Sequence, residues 1–354
     1  MSVAAEDDLA EALSEQVRRA AAAGAPLAII GGGAKSFLGH PSPGEPLELA
    51  GHRGVVEYDP SELVITARAG TRLADIEAQL AENGQHLAFE PPVFGPASTI
   101  GGVVAAGLSG AARPFAGAVR DFVLGVKVLD GRGQVLRFGG KVFKNVAGFD
   151  AFRLMAGAFG CLGALLEVSV RVSPAPRASE GRSLELDWPQ ASVLVGGLMR
   201  RPSPLTGALH DGQRLHLRFA GGPAAVARAA VETGGEPTPA GFWEALRCFR
   251  LPILAAPRLW RLSIPREAAV DGLEGEVLRD WGGAQVWLAG EAGTRDIRAR
   301  AAEVGGHATL FRGARPGERV FSPLPPPLLG LHQRLKAALD PARVFNRGRM
   351  YQEL

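Results

Sequence analysis

Three consecutive glycines followed by a lysine and a serine are the first feature of the sequence that could do chemistry. Residues 27–37 read LAIIGGGAKSF, a short apolar run that leads into the glycines. Because glycine has no side chain beyond hydrogen, such a loop can turn its backbone N–H groups toward a phosphate. The segment is therefore a candidate phosphate-binding loop.

Two familiar phosphate loops are excluded at this place. A Walker loop requires glycine directly before its lysine, where Ala34 stands. A Rossmann loop requires glycine or alanine three residues after Gly33, where Ser36 stands instead. It must also open a helix, which the prolines at 41, 43 and 46 forbid. A phosphate loop that returns to a strand and a plain tight turn both remain open.

A second glycine-rich segment, residues 91–113, reads PPVFGPASTIGGVVAAGLSGAAR. Its residues are almost all small, so the chain could lie close along a flat, charged partner such as a dinucleotide. The hydroxyls of Ser98, Thr99 and Ser109 would add hydrogen-bonding groups, and Arg113 and Arg120 would stand at the rim. Tight packing of strands or helices is the alternative explanation.

The pattern of apolar residues predicts the elements that position these loops. The expected fold class is α+β, in two domains joined by a linker at Ser173–Arg182, where the sequence turns small, polar and proline-containing. In the first half we predict helices at Asp7–Ala23, Arg72–Asn83 and Ala151–Phe159, and strands at Pro26–Ile30, Val55–Tyr58, Leu63–Ala67, Val123–Leu129, Gln134–Phe138 and Leu165–Val172. In the second half we predict strands near Ser183–Leu186, Leu215–Phe219, Trp260–Ile264 and Ala284–Leu288, and helices near Pro223–Glu232, Arg295–Val304 and Leu328–Leu339.

Composition limits the classes of function. The 354 residues contain 46% hydrophobic side chains, which is enough to build a core, and a net charge of +3 is too small to indicate a nucleic-acid partner. The stretch 91–112 has the length of a membrane span but carries three prolines and five glycines, so we expect no span. Two cysteines and an acidic amino terminus favour a cytoplasmic protein without a signal peptide.

Taken together, the motifs resemble the FAD-binding domain of the vanillyl-alcohol oxidase (PCMH-type) flavoproteins. The resemblance rests on GGGAKSFLG and PPVFGPASTIGGVVAAGLSG, followed by VLGVKVLDGRGQVLRFGGKVFKNVAGFD and AGAFGCLGALLEVSVRV, in this order. Within that family the second half, with HDGQRLHLRF, LWRLSIP and VFNRGRMY, is similar to the smaller FAD-binding subunits of bacterial glycolate oxidases. The resemblance implies a PCMH-type two-part FAD-binding domain at 1–175 and an α+β cap or substrate domain at 183–330. It also implies a tail at 331–354 that returns to the FAD domain.

The resemblance also implies which residues contact FAD. In many relatives a histidine or cysteine bonded to the flavin lies near the glycine loops; none lies within 31–39 or 95–110, so non-covalent FAD is implied. The tail departs from the family at Arg347, where relatives usually have proline. The implied cofactor-binding residues are Gly31, Gly32, Gly33, Ala34, Lys35, Ser36, Pro92, Ser98, Thr99, Ile100, Gly101, Gly102, Ser109, Gly110, Gly163 and Val168.

Oxidation of a hydroxy acid needs a base for the hydroxyl proton and a cation for the carboxylate. His307 and Arg312, five residues apart, are candidates for these two roles, and Lys144 lies in a segment that the family keeps near the flavin. The seven histidines are scattered, and two cysteines cannot hold a four-thiolate cluster, so no metal site is predicted.

The implied partners are a larger FAD-binding subunit, an iron-sulfur subunit and a small hydroxy-acid substrate. The larger assembly could lie peripherally at the inner membrane. The implied reaction is oxidation of glycolate to glyoxylate. Two alternatives stay open: a self-sufficient FAD oxidoreductase acting on another hydroxy acid or alcohol, and a non-catalytic assembly or electron-relay subunit.

Overall fold

The computed structural model of the protein describes residues 8–140, 150–268, 272, 274–291 and 294–354. The strands are β1 (Leu27–Ile30), β2 (Glu45–Glu48), β3 (Val55–Asp59), β4 (Val64–Arg68), β5 (Gln85–His86), β6 (Val123–Leu129), β7 (Val135–Gly139), β8 (Ala164–Arg171), β9 (Ser173–Pro174), β10 (Ala178–Glu185), β11 (Leu205–His210), β12 (Arg214–Gly221), β13 (Glu236–Pro237), β14 (Leu259–Ser263), β15 (Glu276–Asp280), β16 (Gln285–Ala289) and β17 (His307–Arg312). The helices are α1 (Ala10–Ala23), α2 (Leu73–Ala81), α3 (Ile100–Ala106), α4 (Arg113–Ala116), α5 (Val119–Phe122), α6 (Trp188–Met199), α7 (Pro223–Thr233), α8 (Phe242–Arg247), α9 (Thr294–Glu303) and α10 (Pro326–Leu339). This mixture of helices and antiparallel sheets is the predicted α+β class.

The chain divides into two compact units. The described part of the first unit comprises 8–108, 118–140, 150–174 and 323–354, and the second takes 109–117 together with the described residues from 175 to 322. The short segment 109–117, which we predicted to belong with the second glycine segment, thus belongs to the second unit.

The first unit contains an antiparallel sheet in the order β3-β4-β8-β6-β7 and a separate parallel pair, β1 and β2. Helix α1 buries Leu13 and Val17 against Leu27 of β1 and Leu47 of β2, as expected for an amphipathic helix that shields one face of a small sheet. The carboxyl-terminal tail joins the same core, because the N–H of Leu27 donates to the carbonyl of Val344 (2.7 Å). The tail is therefore an integral part of this unit.

The second unit is built on a sheet in the order β13-β10-β12-β11-β15-β16-β14-β17. Helices α6 and α7 cover one part of it with Val195 and Val226. Helix α9 covers β14, β16 and β17 by burying Ile297 and Ala301 against a face that includes Trp260. Residues alternate between the two faces of a strand, so the side chains that lie between these core positions, such as Arg261, point to the opposite face.

Two predicted elements are wrong. The segment predicted as a linker, Ser173–Arg182, is largely strand: β10 begins at Ala178 and pairs with β12 along its whole length. The helix predicted at Ala151–Phe159 is a 3-10 turn over Ala151–Met155. Phe159 itself has a φ of 52°, which no right-handed helix accommodates.

Candidate functional site

The glycine loop leaves β1 and re-enters the sheet as a parallel strand, β2. Gly33 adopts a φ of +69°, a backbone conformation that favours glycine. A Cβ at this position would lie in open space, so packing does not require glycine there. Gly32 is required for a different reason: a Cβ would lie 1.5 Å from the carbonyl oxygen of Ala97. The first glycine loop is therefore packed directly on the second glycine segment.

The second segment folds into the short helix α3, which begins behind Thr99. The Thr99 hydroxyl accepts a hydrogen bond from the N–H of Gly102 (3.2 Å) and so caps the helix. The N–H of Gly101 donates to the carbonyl of Ala69 (2.9 Å), and a Cβ on Gly101 would lie 2.6 Å from the Ala69 Cβ. Glycine at 101 thus allows α3 to lie against the end of β4.

A cavity of about 540 Å³ lies in the first unit between these two segments and the tail. This volume is in the range of small-molecule and cofactor sites. Ten of the predicted cofactor residues line it: Gly31, Gly32, Gly33, Ala34, Lys35, Ser36, Thr99, Gly101, Gly102 and Gly163.

Six predicted cofactor residues do not line this cavity, and their surroundings explain why. Ile100 and Val168 are buried in the core, Ser98 accepts a hydrogen bond from the N–H of Phe94 (3.3 Å), and Pro92 is buried next to that turn. Ser109 and Gly110 belong to the second unit, where the carbonyl of Gly110 accepts from the Trp281 indole N–H (2.9 Å). Contact of these six residues with FAD remains a prediction without support from the cavity.

Lys35 and Arg349 are the cationic side chains among the described residues that line the cavity, and Lys35 has the fewer contacts with the protein. Its ammonium group lies 5.8 Å from the centre of the Phe94 ring and forms no hydrogen bond or ion pair with any residue that the structure describes. Burial lowers the pKa of Lys35 from its ordinary 10.5 to about 8, because removal of water penalises the charged form. Because no described residue neutralises this partly buried ammonium group, binding of an anion in the cavity would be favourable.

The backbone of the loop offers further donors. Within the described residues, the N–H groups of residues 32–35 make no hydrogen bond, and all four residues line the cavity. Successive free N–H groups in a turn form a concave anion site. The loop thus presents backbone dipoles and one ammonium group to the same space, which suits the diphosphate of a dinucleotide, and the small residues of the wall leave room for its rings. The residues present fit FAD.

The carboxyl-terminal tail forms the remaining wall through Asn346 and Arg349. Asn346 accepts from the N–H of Ile29 (2.8 Å) and donates to the carbonyl of Phe159 (2.6 Å), so it ties the tail to β1. Arg349 donates to the carbonyl of His40 (3.0 Å) and to those of Lys35 and Ser36, and so braces the glycine loop from behind. Sequence reasoning missed both residues, although the tail motif that contains them was part of the resemblance.

Arg347, the residue at which we predict a departure from the family pattern, contacts the end of α1. Its guanidinium donates to the carbonyl of Gly24 (3.0 Å) and to that of Ala342 (3.3 Å). The departure from the family pattern therefore leaves the return of the tail intact.

Comparison with known proteins identifies the family to which the chain belongs. A family model described as an FAD binding domain matches residues 4–139. Glycolate oxidase subunit GlcE of Escherichia coli (strain K12) is 47% identical over 350 residues, which is 99% of this chain and 99% of that protein. The chain belongs to the GlcE family. FAD is accordingly its cofactor, and the FAD-binding domain falls on the unit that contains the cavity.

Other relatives match shorter stretches of the chain. Glycolate oxidase subunit GlcD of Bacillus subtilis (strain 168) is 32% identical over 36% of this chain and 27% of its own length. A D-lactate dehydrogenase of Anaerostipes hadrus is 32% identical over 42% of this chain and 30% of its own. Among solved structures, an alkyldihydroxyacetonephosphate synthase covers 95% of this chain and 75% of its own with a TM-score of 0.65 at 14% identity, which shows a shared fold.

Two of the predicted catalytic residues, Arg312 and His307, belong to the second unit and are not among the residues that line the cavity. Arg312 donates to the carbonyls of Leu254 (2.7 Å) and Ala256 (3.3 Å), so its guanidinium is engaged in holding a turn of the second unit. His307 is exposed at the start of β17. Partial loss of water, followed by the positive charge of Arg261, lowers the pKa of His307 below its usual value. Lys144 lies outside the described residues.

The described residues contain neither a metal-binding cluster nor a membrane-spanning helix. No group of three or more histidine, cysteine, aspartate or glutamate side chains lies together in a way that could hold a metal ion. None of the helices in the described ranges combines the length and the apolar character needed to cross a bilayer.

Proposed function

We propose that the chain is the FAD-binding subunit of a complex that oxidises glycolate to glyoxylate. The observation that carries the proposal is the 47% identity to glycolate oxidase subunit GlcE along essentially the whole of both chains. The diphosphate-binding features of the cavity support it independently, because they are read from the fold of this chain. The name of that relative also supports partner subunits.

The reaction removes a hydride from the carbinol carbon of glycolate and a proton from its hydroxyl. Bound FAD supplies the acceptor for the hydride. The glycine loop and Lys35 would hold the diphosphate, and the tail residues Asn346 and Arg349 would fix the loop. We further propose that FAD is held without a covalent bond, because the described wall of the cavity contains no histidine, cysteine or tyrosine.

We propose His307 as the group that takes the hydroxyl proton. Its lowered pKa keeps the ring neutral at pH 7, which is the form that accepts a proton. Glycolate-dependent flavin reduction should then decline only when the pH falls below that lowered pKa. His307→Ala should slow reduction at least tenfold with flavin content unchanged; unchanged rates in the assembled complex would remove His307 from the mechanism.

The larger FAD-binding subunit, an iron-sulfur subunit and a membrane acceptor complete the proposed electron path. The subunits would also bring this chain to the inner membrane peripherally. The test is an anaerobic titration of the purified chain with glycolate, followed through the visible absorption of the flavin. Bleaching supports oxidation by this chain, whereas a colourless protein that takes up no added FAD would refute the proposal.

An electron-relay subunit is the second candidate. It is favoured by one observation, that Arg312 is engaged by carbonyls and His307 has no orienting hydrogen bond to any residue in the described ranges. Yellow protein that glycolate leaves oxidised, but that is reduced in the assembled complex, would support this second candidate.

A further inference from the structure

The sheet of the second unit has one face that α9 does not cover. On this face the cross-strand register places Ser263 opposite both Gln285 and His307, and Arg261 opposite both Thr309 and the buried Trp287. Residues directly opposite each other on paired strands point to the same side of a sheet. Polar and cationic side chains are therefore gathered in one patch.

Arg261 is the central group of this patch. Its Nε donates to Oε1 of Gln285 (2.6 Å), and the Gln285 amide nitrogen donates in turn to Asp280 (3.3 Å). The amide thus stands between the guanidinium and the nearest carboxylate and fixes the orientation of Arg261. The two terminal nitrogens of Arg261 make no hydrogen bond or ion pair with any part of the chain that the structure describes.

A second arginine lies on the same aromatic ring. The Arg113 guanidinium carbon is 4.3 Å from the centre of the Trp281 ring, and that of Arg261 is 5.3 Å away. Burial, and after it the positive charge of Arg113, lowers the pKa of Arg261 to about 10, which still leaves it cationic at neutral pH. The Asp280 carboxylate raises the pKa of Arg261, but by less than burial and Arg113 lower it, so a further anion beside Arg261 would be stabilising.

The Trp281 residue is held in place by two hydrogen bonds. Its indole N–H donates to the carbonyl of Gly110 (2.9 Å), and its backbone N–H donates to Asp280 (2.7 Å). Its φ of 57° is strained for a bulky residue. This segment therefore holds an aromatic platform in a costly conformation, with Arg113 and Arg261 against it.

We propose that Arg261 and Arg113 on the Trp281 platform bind a carboxylate group. The free terminal nitrogens of a guanidinium form a fork that matches the two oxygens of a carboxylate. The assignment of the ligand as a hydroxy acid rests on the proposed function, whereas the anion site itself rests only on the geometry of this unit. The carboxylate-holding arginine predicted from the sequence, Arg312, is thereby replaced by Arg261.

The test is isothermal titration calorimetry of the FAD-loaded full chain with oxalate, a carboxylate ligand that lacks an oxidisable hydroxyl carbon. Loss of one charged hydrogen-bonding partner weakens binding roughly 10- to 100-fold, so Arg261→Met and Arg113→Met should each raise the Kd of oxalate by that factor. Arg261→Lys should give an intermediate Kd, because it keeps the charge and loses the fork. Arg218→Met is the matched control, since Arg218 stacks on Trp243 (5.0 Å) elsewhere in the same unit.

Two results would overturn the proposal. One is oxalate binding that neither Arg261→Met nor Arg113→Met weakens. The other is a wild-type protein that does not bind oxalate, whether or not it binds inorganic phosphate. If Arg261→Met loses its flavin or its fold, the Arg113→Met protein decides the question alone.

The same proteins separate this inference from the proposed function. Oxalate binding that depends on Arg261, in a protein and a complex that glycolate does not reduce, would refute the function and leave the carboxylate site standing. Oxalate binding that Arg261→Met and Arg113→Met leave unchanged, in a complex that glycolate still reduces, would refute the site and leave the function standing.

Discussion

Replacing Lys35 by methionine should change protein stability and cofactor affinity in opposite directions. Methionine keeps an unbranched chain of similar length in the wall of the cavity and removes the ammonium charge. In the flavin-free protein that charge is partly buried, with no counter-ion among the described residues. In the flavin-bound protein the same charge would meet the diphosphate.

The lowering of the Lys35 pKa from 10.5 to about 8 corresponds to up to about 3 kcal/mol of destabilisation. Because the folded pKa lies below the unfolded one, the unfolded chain binds more protons between these two values. The destabilisation is therefore complete below pH 8, fades as the pH rises to 10.5, and is absent above it. Lys35→Met should stabilise the flavin-free protein at pH 7 by up to about 3 kcal/mol and weaken FAD binding roughly 10- to 100-fold.

Urea unfolding of the flavin-free protein at pH 7 and near pH 10.5 measures the first effect, and quenching of FAD fluorescence measures the second. Lys127→Met is the matched control, because Lys127 is paired with Glu167 across β6 and β8 and its loss should not stabilise the protein. A less stable flavin-free Lys35→Met protein, or an unchanged affinity for FAD, would refute the reasoning about the unpartnered cation.

Three further substitutions test the frame around the cavity. Gly32→Ala should abolish flavin retention, because its Cβ would lie 1.5 Å from the Ala97 carbonyl oxygen; Gly197→Ala, with open space, is the control, and absorbance of the purified proteins measures the outcome. Lys336→Met should cost about 3–5 kcal/mol of unfolding free energy in urea, since it strands the buried Asp340 carboxylate, and adding Asp340→Asn should recover part of the loss. Asn346→Ala should lower stability by about 2–3 kcal/mol because two buried hydrogen bonds to Ile29 and Phe159 are lost, and a thermal scan with unchanged Tm would contradict it.

Elements that are stabilised by residues close together in the sequence could be predicted from the sequence alone. The hairpin of β6 and β7 is confirmed because Asp130 accepts from the N–H groups of Arg132 (2.9 Å) and Gln134 (2.8 Å), and Gly133 supplies a φ of 75°. Strand β10 was misjudged as a linker because its sequence, ASEGRSLE, has almost no alternating apolar residues. Its strand conformation comes from pairing with β12, whose paired residues lie 29 (Glu185–Arg214) to 43 (Ala178–Gly221) positions further along the chain.

Side-chain clusters formed by residues far apart in the sequence could not be predicted either, because their contacts exist only in the folded chain. Lys336 looks like an ordinary helical lysine, yet it donates to the carbonyls of Cys161 (2.8 Å) and Phe345 (2.7 Å) and to Asp340 (2.7 Å). Arg261 alternates with apolar neighbours, as a solvent-facing strand residue would. Only the fold brings it to the ring of Trp281.

The glycine motifs themselves divide into two kinds of position. Gly32 and Gly101 are required because neighbouring backbone occupies the place of a side chain, so their substitution would disturb the loops even in a flavin-free protein. Gly33 has open space, and only its positive φ favours glycine there. We therefore expect the diphosphate to be bound by Lys35 and by the N–H groups of residues 32–35, which make no hydrogen bond within the described ranges. A loss of flavin in Gly32 variants reports on packing, whereas a loss in Lys35 variants reports on charge, so Lys35 is the sharper test of the cofactor site.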